Sequence, residues 1–316
     1  MPEVRPFARH DRDGLASLAN RHIAAVLPGG AVPVATLLAQ MERDRAEYIV
    51  DPWVIERQTI VGLEADRVVA AAHLKRFGSD DRTSENYRNA GLIDWLISDP
   101  SHRAAGAAVV EGCLAQLKAW RTRLWYADGN LPCLGVYGIP DAWPHIEELL
   151  VAAGFSNEGG QIEVIYAGDL NHVERPGRTP VTDLELRRVV GPLGTTFEAW
   201  IRDERVGFFE VEDVHGTANS QLARWADEGN HWVAPGHRGQ GIGTWLFRHG
   251  CLWLCLGGKD RLLAYAVERR ARGAEPMEAS ADRCDNYYTR LGLTRITRTT
   301  RGWCRRPAGV KHRIPG

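Results

Sequence analysis

The chain has 316 residues, of which 44% are hydrophobic and 25% are charged, and its 39 Lys and Arg are balanced by 40 Asp and Glu. This length favours two globular domains, and the charge balance argues against a nucleic-acid surface. No apolar run reaches the length of a membrane helix, and the N-terminus lacks the apolar core of a signal peptide, so we expect a cytoplasmic protein without a membrane partner. The six cysteines form no C-x-x-C pair, which argues against a metal site and against a disulfide framework.

The apolar periodicity of the first half predicts alternating strands and helices. It begins with a strand, two helices and a strand hairpin, over residues 3–8, 11–26, 34–45, 54–63 and 67–74. An apolar strand over residues 91–99 then ends at Pro100, and the segment after it predicts a helix with one apolar stripe. A strand over 132–138 and a helix over 142–153, which ends at Gly154, complete this half.

A polar stretch with two prolines, residues 168–182, is the predicted linker. The second half continues with three strands and a short helix, over residues 184–190, 195–201, 205–211 and 219–226. It has no room for the two helices that follow the first strand of the first half. How that side of the second domain is closed is therefore left open.

The stretch H-W-V-A-P-G-H-R-G-Q-G-I-G, residues 231–243, predicts a strand that passes through a glycine-rich turn into an apolar helix over 244–256. Such a turn directs unpaired backbone N–H groups and the positive end of the helix dipole at one spot, which can bind phosphate. The spacing matches neither the Walker pattern nor the G-x-G-x-x-G fingerprint. A strand over 261–267 and a closing hairpin over 294–306 end the chain.

Two motifs in this half carry a resemblance to a known family. Arg238-x-x-Gly241-x-Gly243, after a Val-x-Pro strand end, resembles the pyrophosphate-binding motif Q/R-x-x-G-x-G/A of the GNAT acyltransferase superfamily. Residues 285–293, D-N-Y-Y-T-R-L-G-L, resemble the late helix of that superfamily, with Tyr288 four residues before Gly292.

The first half repeats the same pattern. Pro100-x-His-Arg103-x-x-Gly106-x-Ala108 matches Pro235-x-His-Arg238-x-x-Gly241-x-Gly243 at an offset of 135 residues (238 − 103). The chain therefore resembles a tandem GNAT protein, similar to the mycothiol synthase-like two-domain acetyltransferases of actinobacteria. The expected fold is α/β, with two tandem GNAT domains over residues 1–167 and 183–316, each a mixed, largely antiparallel sheet flanked by helices.

The resemblance implies an N-acetyltransferase that takes acetyl-coenzyme A and a small-molecule amine, as a monomer or homodimer. Tyr288 would protonate the departing thiolate, and Asp227 or Glu228 would be the general base, with Glu210, Glu212 and His231 as alternatives. The implied cofactor-binding residues are Val233, Arg238, Gly239, Gln240, Gly241, Ile242, Gly243, Thr244 and Asn286 in the second half, and Arg103, Gly106 and Ala108 in the first.

The first half is expected to be catalytically degenerate, because Leu150 stands four residues before Gly154, where the second half has Tyr288. Two other functions are open at this stage. A noncatalytic acyl-coenzyme A binding or regulatory protein would keep the loop without turnover. An aminoacyl-tRNA dependent transferase of the same fold would need a basic surface, which the charge balance does not favour.

Overall fold

A computed structural model describes residues 2–42, 51–127, 136–157, 160–192, 194–213, 221–269 and 287–306. The strands and helices are, in chain order, β1 (Glu3–Pro6), α1 (Arg12–Val26), α2 (Val34–Met41), β2 (Val54–Glu64), β3 (Arg67–Phe77), β4 (Ala90–Ser98), α3 (Arg103–Ala119), β5 (Leu124–Ala127), β6 (Ile139–Pro140), α4 (Pro144–Ala152), β7 (Ile162–Asp169), β8 (Leu184–Val190), β9 (Thr195–Ile201), β10 (Glu204–Asp213), β11 (Trp225–Val233), α5 (Ile242–Leu256), β12 (Arg261–Arg269), β13 (Thr294–Thr300) and β14 (Trp303–Arg305). Residues 287–290 are helical.

The described chain divides into two compact units, each with its own contacts. The first contains residues up to Ile162 together with Arg269 and residues 298–306, and the second contains Glu163–Glu268 and residues 287–297. Mixed sheets flanked by helices confirm the expected fold class. Strand β7 pairs in the second sheet, although its residues up to 167 fall in the N-terminal domain of the sequence-based division.

The sheet of the first unit has the strand order β1-β2-β3-β4-β5-β14. Its first four strands are antiparallel neighbours, whereas β4 and β5 run parallel. Helix α3 lies close against one face because two strand glycines leave room for it. A Cβ atom at Gly62 would come within 2.8 Å of Val109, and one at Gly91 within 2.4 Å of Leu117.

The second sheet has the order β6-β13-β7-β12-β11-β10-β9-β8, and α5 packs on one of its faces. The apolar stripe of α5 includes Leu246 and Phe247, which are fully buried against Phe209 and its neighbours. Here the close approach is made by a helix glycine, since a Cβ atom at Gly250 would come within 2.5 Å of the Phe209 ring. This packing fixes the position of the helix whose N-terminus follows the glycine-rich turn.

The strand predictions differ from the structure in several places. The expected closing hairpin is wrong, because β13 pairs in the second sheet and β14 pairs with β5 in the first. Strands β5 and β7 were not predicted. Of the strand expected over 132–138, only residues 136–138 are described, and they are not in a strand. Among the described residues, no helix is both long and apolar enough to cross a membrane.

We predict that Gly250→Ala destabilises the protein, because the new methyl group would overlap two Phe209 ring atoms at 2.5 and 2.6 Å. Overpacking of this kind costs about 1–3 kcal/mol. Thermal unfolding would measure the effect. Gly112→Ala on α3 is the matched control, because its methyl group would first meet the end of the Val4 side chain at 3.3 Å. Equal losses of stability in the two variants would contradict this account of the packing.

Candidate active site

The loop before α5 exposes backbone amides. After the turn Pro235–His237, Gly239 and Gly241 have φ angles of +75° and +84°, in the left-handed region that favours glycine. The first α-helical hydrogen bond runs from the Trp245 N–H to the Gly241 carbonyl, at 3.0 Å. The N-cap residue Gly241 has no side chain that could cap the helix, so the N–H groups of its first turn, residues 242–244, point outward from the helix end.

Two side chains of the predicted motif hold this loop in place. Arg238 donates from Nε to the Val233 carbonyl at 2.9 Å, which ties the loop to the end of β11. Gln240 donates from Nε2 to the Gly236 carbonyl at 3.3 Å. The linker reaches the same loop, because a Cβ atom at Gly241 would lie 3.3 Å from Pro180. Gly241 therefore combines a backbone angle and a close contact that both exclude a side chain.

Strands β11 and β12 separate close to this loop. They pair in parallel only where residues 225–227 meet residues 261–263, and beyond Asp227 the described partners of β11 lie in β10. Within β11, Glu228 pairs with Val211 and Asn230 pairs with Glu210, so Gly229 is the extra residue of a β-bulge. A bulge reorients the side chains beside it, and bulges are common next to active sites.

A cavity of about 500 Å³ lies between the separated strand and the loop. Its wall includes most of the residues that the motifs predicted: Val233, Arg238, Gly239, Gly241, Ile242, Gly243, Thr244 and Tyr288. His231, Trp232, His237 and Tyr287 complete it. Gln240, Asp227 and Glu228 are not part of this wall, and Asn286 lies outside the described residues.

Tyr288 and Glu228 are in direct contact. The Tyr288 hydroxyl donates to Glu228 Oε1 at 2.8 Å and also lies 3.2 Å from the carbonyl oxygen of Tyr265. Both side chains are buried, and the Tyr288 ring packs against Tyr166 with centroids 5.0 Å apart. The structure thus brings together the residue expected to act as an acid and one of the two carboxylates expected to act as a base.

His231 approaches the same carboxylate oxygen as Tyr288. Its Nδ1 is 3.5 Å from Glu228 Oε1, and its ring packs against Phe209 and Tyr287 at centroid distances of 5.0 and 5.6 Å. The opposite nitrogen, Nε2, faces the start of α5, since a Cβ atom at Gly243 would lie 3.3 Å from it. The sequence offered His231 only as an alternative, because its neighbours along the chain do not reveal this contact.

Asp227 has a different environment from Glu228. Burial raises the pKa of Asp227 to about 8, the carboxylates of Glu212 and Glu228 add to the increase, and a hydrogen bond from Tyr265 opposes it. Asp227 is therefore mostly protonated at pH 7. Burial also raises the pKa of Tyr287 well above its usual value. Glu210 accepts hydrogen bonds from Thr196 at 3.2 Å and Asn230 at 2.8 Å, which suits a structural carboxylate.

No family model and no curated protein matches the chain by sequence. Among solved structures, a tandem GNAT protein from the clavulanic acid biosynthesis pathway aligns with 99% of this chain and all of its own, with a TM-score of 0.64 and 14% identity. The fold is the tandem GNAT fold. A GCN5-related N-acetyltransferase from Sphaerobacter thermophilus aligns with 97% of this chain and 96% of its own, with a TM-score of 0.61 and 13% identity.

A third GNAT structure aligns with most of this chain and is part of a larger protein. It is the GCN5-related glucosamine N-acetyltransferase region of a fungal multi-domain GH3 β-N-acetylglucosaminidase, which aligns with 96% of this chain but 38% of its own, with a TM-score of 0.61 and 12% identity. At these identities the likeness concerns the fold.

The first GNAT unit lacks the open loop. Helix α3 begins at Arg103 itself, so the amides of Ala105 and Gly106 already donate to the His102 carbonyl, at 3.0 and 3.2 Å. The Arg103 guanidinium forms an exposed ion pair with Glu148 at 3.0 Å. Gly106 is buried against Ser98 and Leu149, and Ala108 lies in the second turn of the helix. These three motif residues do not form a loop of accessible amides.

Imidazole groups occupy the strand end of the first GNAT unit. Ser98, the repeat counterpart of Val233 (233 − 135 = 98), donates its N–H to His22 Nε2 at 3.3 Å. Nδ1 of His22 contacts the Leu18 carbonyl at 3.0 Å, and His145 Nε2 lies 3.4 Å from His22 Nε2. Leu150 is buried and has no proton to donate. Across the described residues, no group of three metal-binding side chains occurs.

We predict that acid destabilises the protein partly through His22. Burial lowers the pKa of His22 to about 4, so between about pH 6.5 and 4 the unfolded chain binds a proton that the folded chain does not, and stability falls as the pH falls. Relative to pH 7, this loss at pH 5 is roughly 2 kcal/mol for one such histidine.

The measurement is denaturant unfolding of the wild type and of His22→Gln at pH 7 and pH 5. The variant loses contacts at both pH values, but its free energy of unfolding should differ less between pH 7 and pH 5 than that of the wild type. Equal differences would mean that His22 does not resist protonation in the folded state.

Proposed function

We propose that the protein is an acyl-coenzyme A dependent N-acyltransferase, transferring acetyl from acetyl-coenzyme A to a primary amine of a small molecule, and that its second GNAT unit carries the reaction. One observation supports this above the others. A single cavity of about 500 Å³ has the accessible loop amides on one part of its wall and Tyr288 on another. Small-molecule sites have volumes of this order.

The loop fits a diphosphate. Its three glycines place no side chain over the backbone, and residues 239 and 241–244 line the cavity. The positive end of the α5 dipole lies at the same place, and Arg238 adds a cation on the cavity wall. Bound there, acyl-coenzyme A would supply a thioester whose carbonyl carbon accepts the amine and whose sulfur leaves. The remaining tasks are a proton to be removed from the amine and a proton to be supplied to the sulfur.

Tyr288 suits the second task. A phenol is protonated at neutral pH yet can share its proton with a developing thiolate. Its hydroxyl is buried, held by Glu228 and the Tyr265 carbonyl, and its residue lines the cavity. Of the two candidate carboxylates we propose that Glu228 takes part in the proton transfer, because it contacts Tyr288, whereas Asp227 is mostly protonated at pH 7.

The first GNAT unit is proposed to serve as a scaffold that does not bind the cofactor. Its motif amides are used inside α3, its motif arginine is paired with Glu148, and its strand end is bonded to His22. Each of these contacts replaces one that a diphosphate or thioester arm would need. The second unit therefore carries both binding and chemistry.

The proposed function is tested by thiol release from acetyl-coenzyme A in the presence of a panel of primary amines. We expect turnover with at least one amine and a loss of about 10²-fold or more in kcat for Tyr288→Phe, the usual contribution of a general acid. The affinity for coenzyme A should change little, because the hydroxyl contacts Glu228 rather than the loop. Tyr287→Phe removes the neighbouring hydroxyl and is the matched comparison.

Tight binding of acetyl-coenzyme A without turnover on any amine would contradict the transferase and favour a noncatalytic sensor. No binding at all would remove both functions. An equal loss of kcat in Tyr287→Phe and Tyr288→Phe would show that the acid is not specifically Tyr288.

The two arginines that the repeat aligns provide a second, independent prediction. Arg238→Gln should weaken coenzyme A binding about tenfold or more, because it removes a charge-assisted contact and the tie between the loop and Val233. Arg103→Gln should leave binding unchanged, since it breaks only an exposed ion pair. Calorimetric titration with coenzyme A measures both. A loss with Arg103→Gln equal to that with Arg238→Gln would place binding in the first unit as well.

A further inference from the structure

Three side chains meet at one oxygen atom. Glu228 Oε1 lies 2.8 Å from the Tyr288 hydroxyl and 3.5 Å from His231 Nδ1. Both Tyr288 and His231 line the cavity, whereas Glu228 lies behind them. We infer that the three form one path for a proton, in which His231 removes it from the amine, Glu228 relays it and Tyr288 delivers it to the sulfur. This inference rests on the proposed function of the second GNAT unit.

The geometry assigns a direction to His231. A carboxylate that faces Nδ1 favours the tautomer with the proton on Nδ1, and Nε2 then has a free lone pair. Nε2 is the nitrogen that faces the start of α5 at Gly243, on the side of the cavity. Phe209 and Tyr287 both pack against the ring, and these contacts restrict its rotation.

The position of Glu228 makes it a relay. Its side chain is about 5% exposed, and in the described part of the chain its second oxygen, Oε2, has no hydrogen-bond partner. Its described polar contacts to Tyr288 and His231 therefore both go through Oε1, away from bulk water. Tyr288 can point its single proton to Oε1 or to the Tyr265 carbonyl. A carboxyl group held between these two neighbours can receive a proton from one and pass a proton to the other.

The protons balance in one turnover. The neutral amine nitrogen forms a bond to the acyl carbon, and the bond from that carbon to sulfur breaks. His231 Nε2 accepts the proton of the nitrogen, the Nδ1 proton moves to Glu228, Tyr288 gives its own proton to the sulfur, and the Glu228 proton restores the Tyr288 hydroxyl. The net change is one proton moved from nitrogen to sulfur. His231 ends as its other neutral tautomer and returns by exchange with water after the products leave.

The first test uses the free protein and needs no turnover. Nitrogen NMR of histidine-labelled protein, with the His231 signals assigned by their loss in His231→Gln, reports which ring nitrogen carries the proton. We expect neutral His231 to carry it on Nδ1, and we expect Glu228→Gln to shift that equilibrium toward Nε2. A proton on Nε2 in the wild type, or no response to Glu228→Gln, would overturn the relay whatever the enzyme's activity.

The second test follows thiol release. His231→Ala should lower kcat by about 10²-fold or more, as expected for loss of a general base, and added imidazole should restore part of it by entering the space left by the ring. His249→Ala is the matched control, since His249 lies on α5 against Trp245 and does not line the cavity. It should keep wild-type activity and should not respond to imidazole.

The outcomes separate this inference from the proposed function. Full activity of His231→Ala, in a wild type that turns over, would overturn the relay and leave the transferase intact. Reduced activity that imidazole does not restore, together with the wrong tautomer, would assign His231 a packing role only. A wild type that neither binds acetyl-coenzyme A nor releases thiol would instead remove the proposed function itself.

Discussion

The end of the pairing between β11 and β12 is the constraint on which the site depends. The two strands share register partners up to Asp227 and Leu263, and then β11 continues along β10. A parallel sheet that stops pairing exposes backbone groups that must find another partner. The Gly229 bulge lies at this point, and the two acidic residues before it have different surroundings. Glu228 contacts Tyr288, and Asp227 is buried beside Glu212. The cavity, the loop and the side chains of the proposed proton path all lie around that separation.

The two GNAT units show how few residues decide whether the loop before the helix stays open. At the positions where the second unit has Gly239 and Gln240, the first has Ala104 and Ala105. Alanine is the strongest helix former, whereas glycine with positive φ stops a helix. Helix α3 accordingly starts at Arg103, four residues earlier in the repeat than α5 at Ile242 (242 − 135 = 107). Amides that would be exposed in the loop are then satisfied within the helix, and His22 bonds the neighbouring strand end.

The sequence could predict the features whose cause is local. Strand, turn and helix around Gly239 and Gly241 follow from backbone chemistry, whereas Tyr288 was indicated by the resemblance of residues 285–293 to the late GNAT helix. Contacts between distant residues could not be predicted. Tyr288 and Glu228 are 60 residues apart, and His22 and Ser98 are 76 apart. The same limit explains the strands: Trp303–Arg305 was correctly expected to be extended, but which sheet it joins depends on the edge that β5 offers. Strand β5 itself, with four residues, is too short to show a period.

The two adjacent acidic residues at the bulge make sense as a pair. Burial raises the pKa of Asp227 to about 8, and repulsion from the carboxylates of Glu212 and Glu228 adds to the increase, so Asp227 is mostly neutral at pH 7. Its neutrality removes a negative charge from the surroundings of Glu228, which accepts the hydrogen bond of the Tyr288 hydroxyl. A phenol surrounded by two carboxylates would hold its proton more strongly and give it up to a sulfur less readily. In the proposed reaction, a protonated Asp227 would therefore assist the transfer from behind the cavity wall, without touching the reacting atoms.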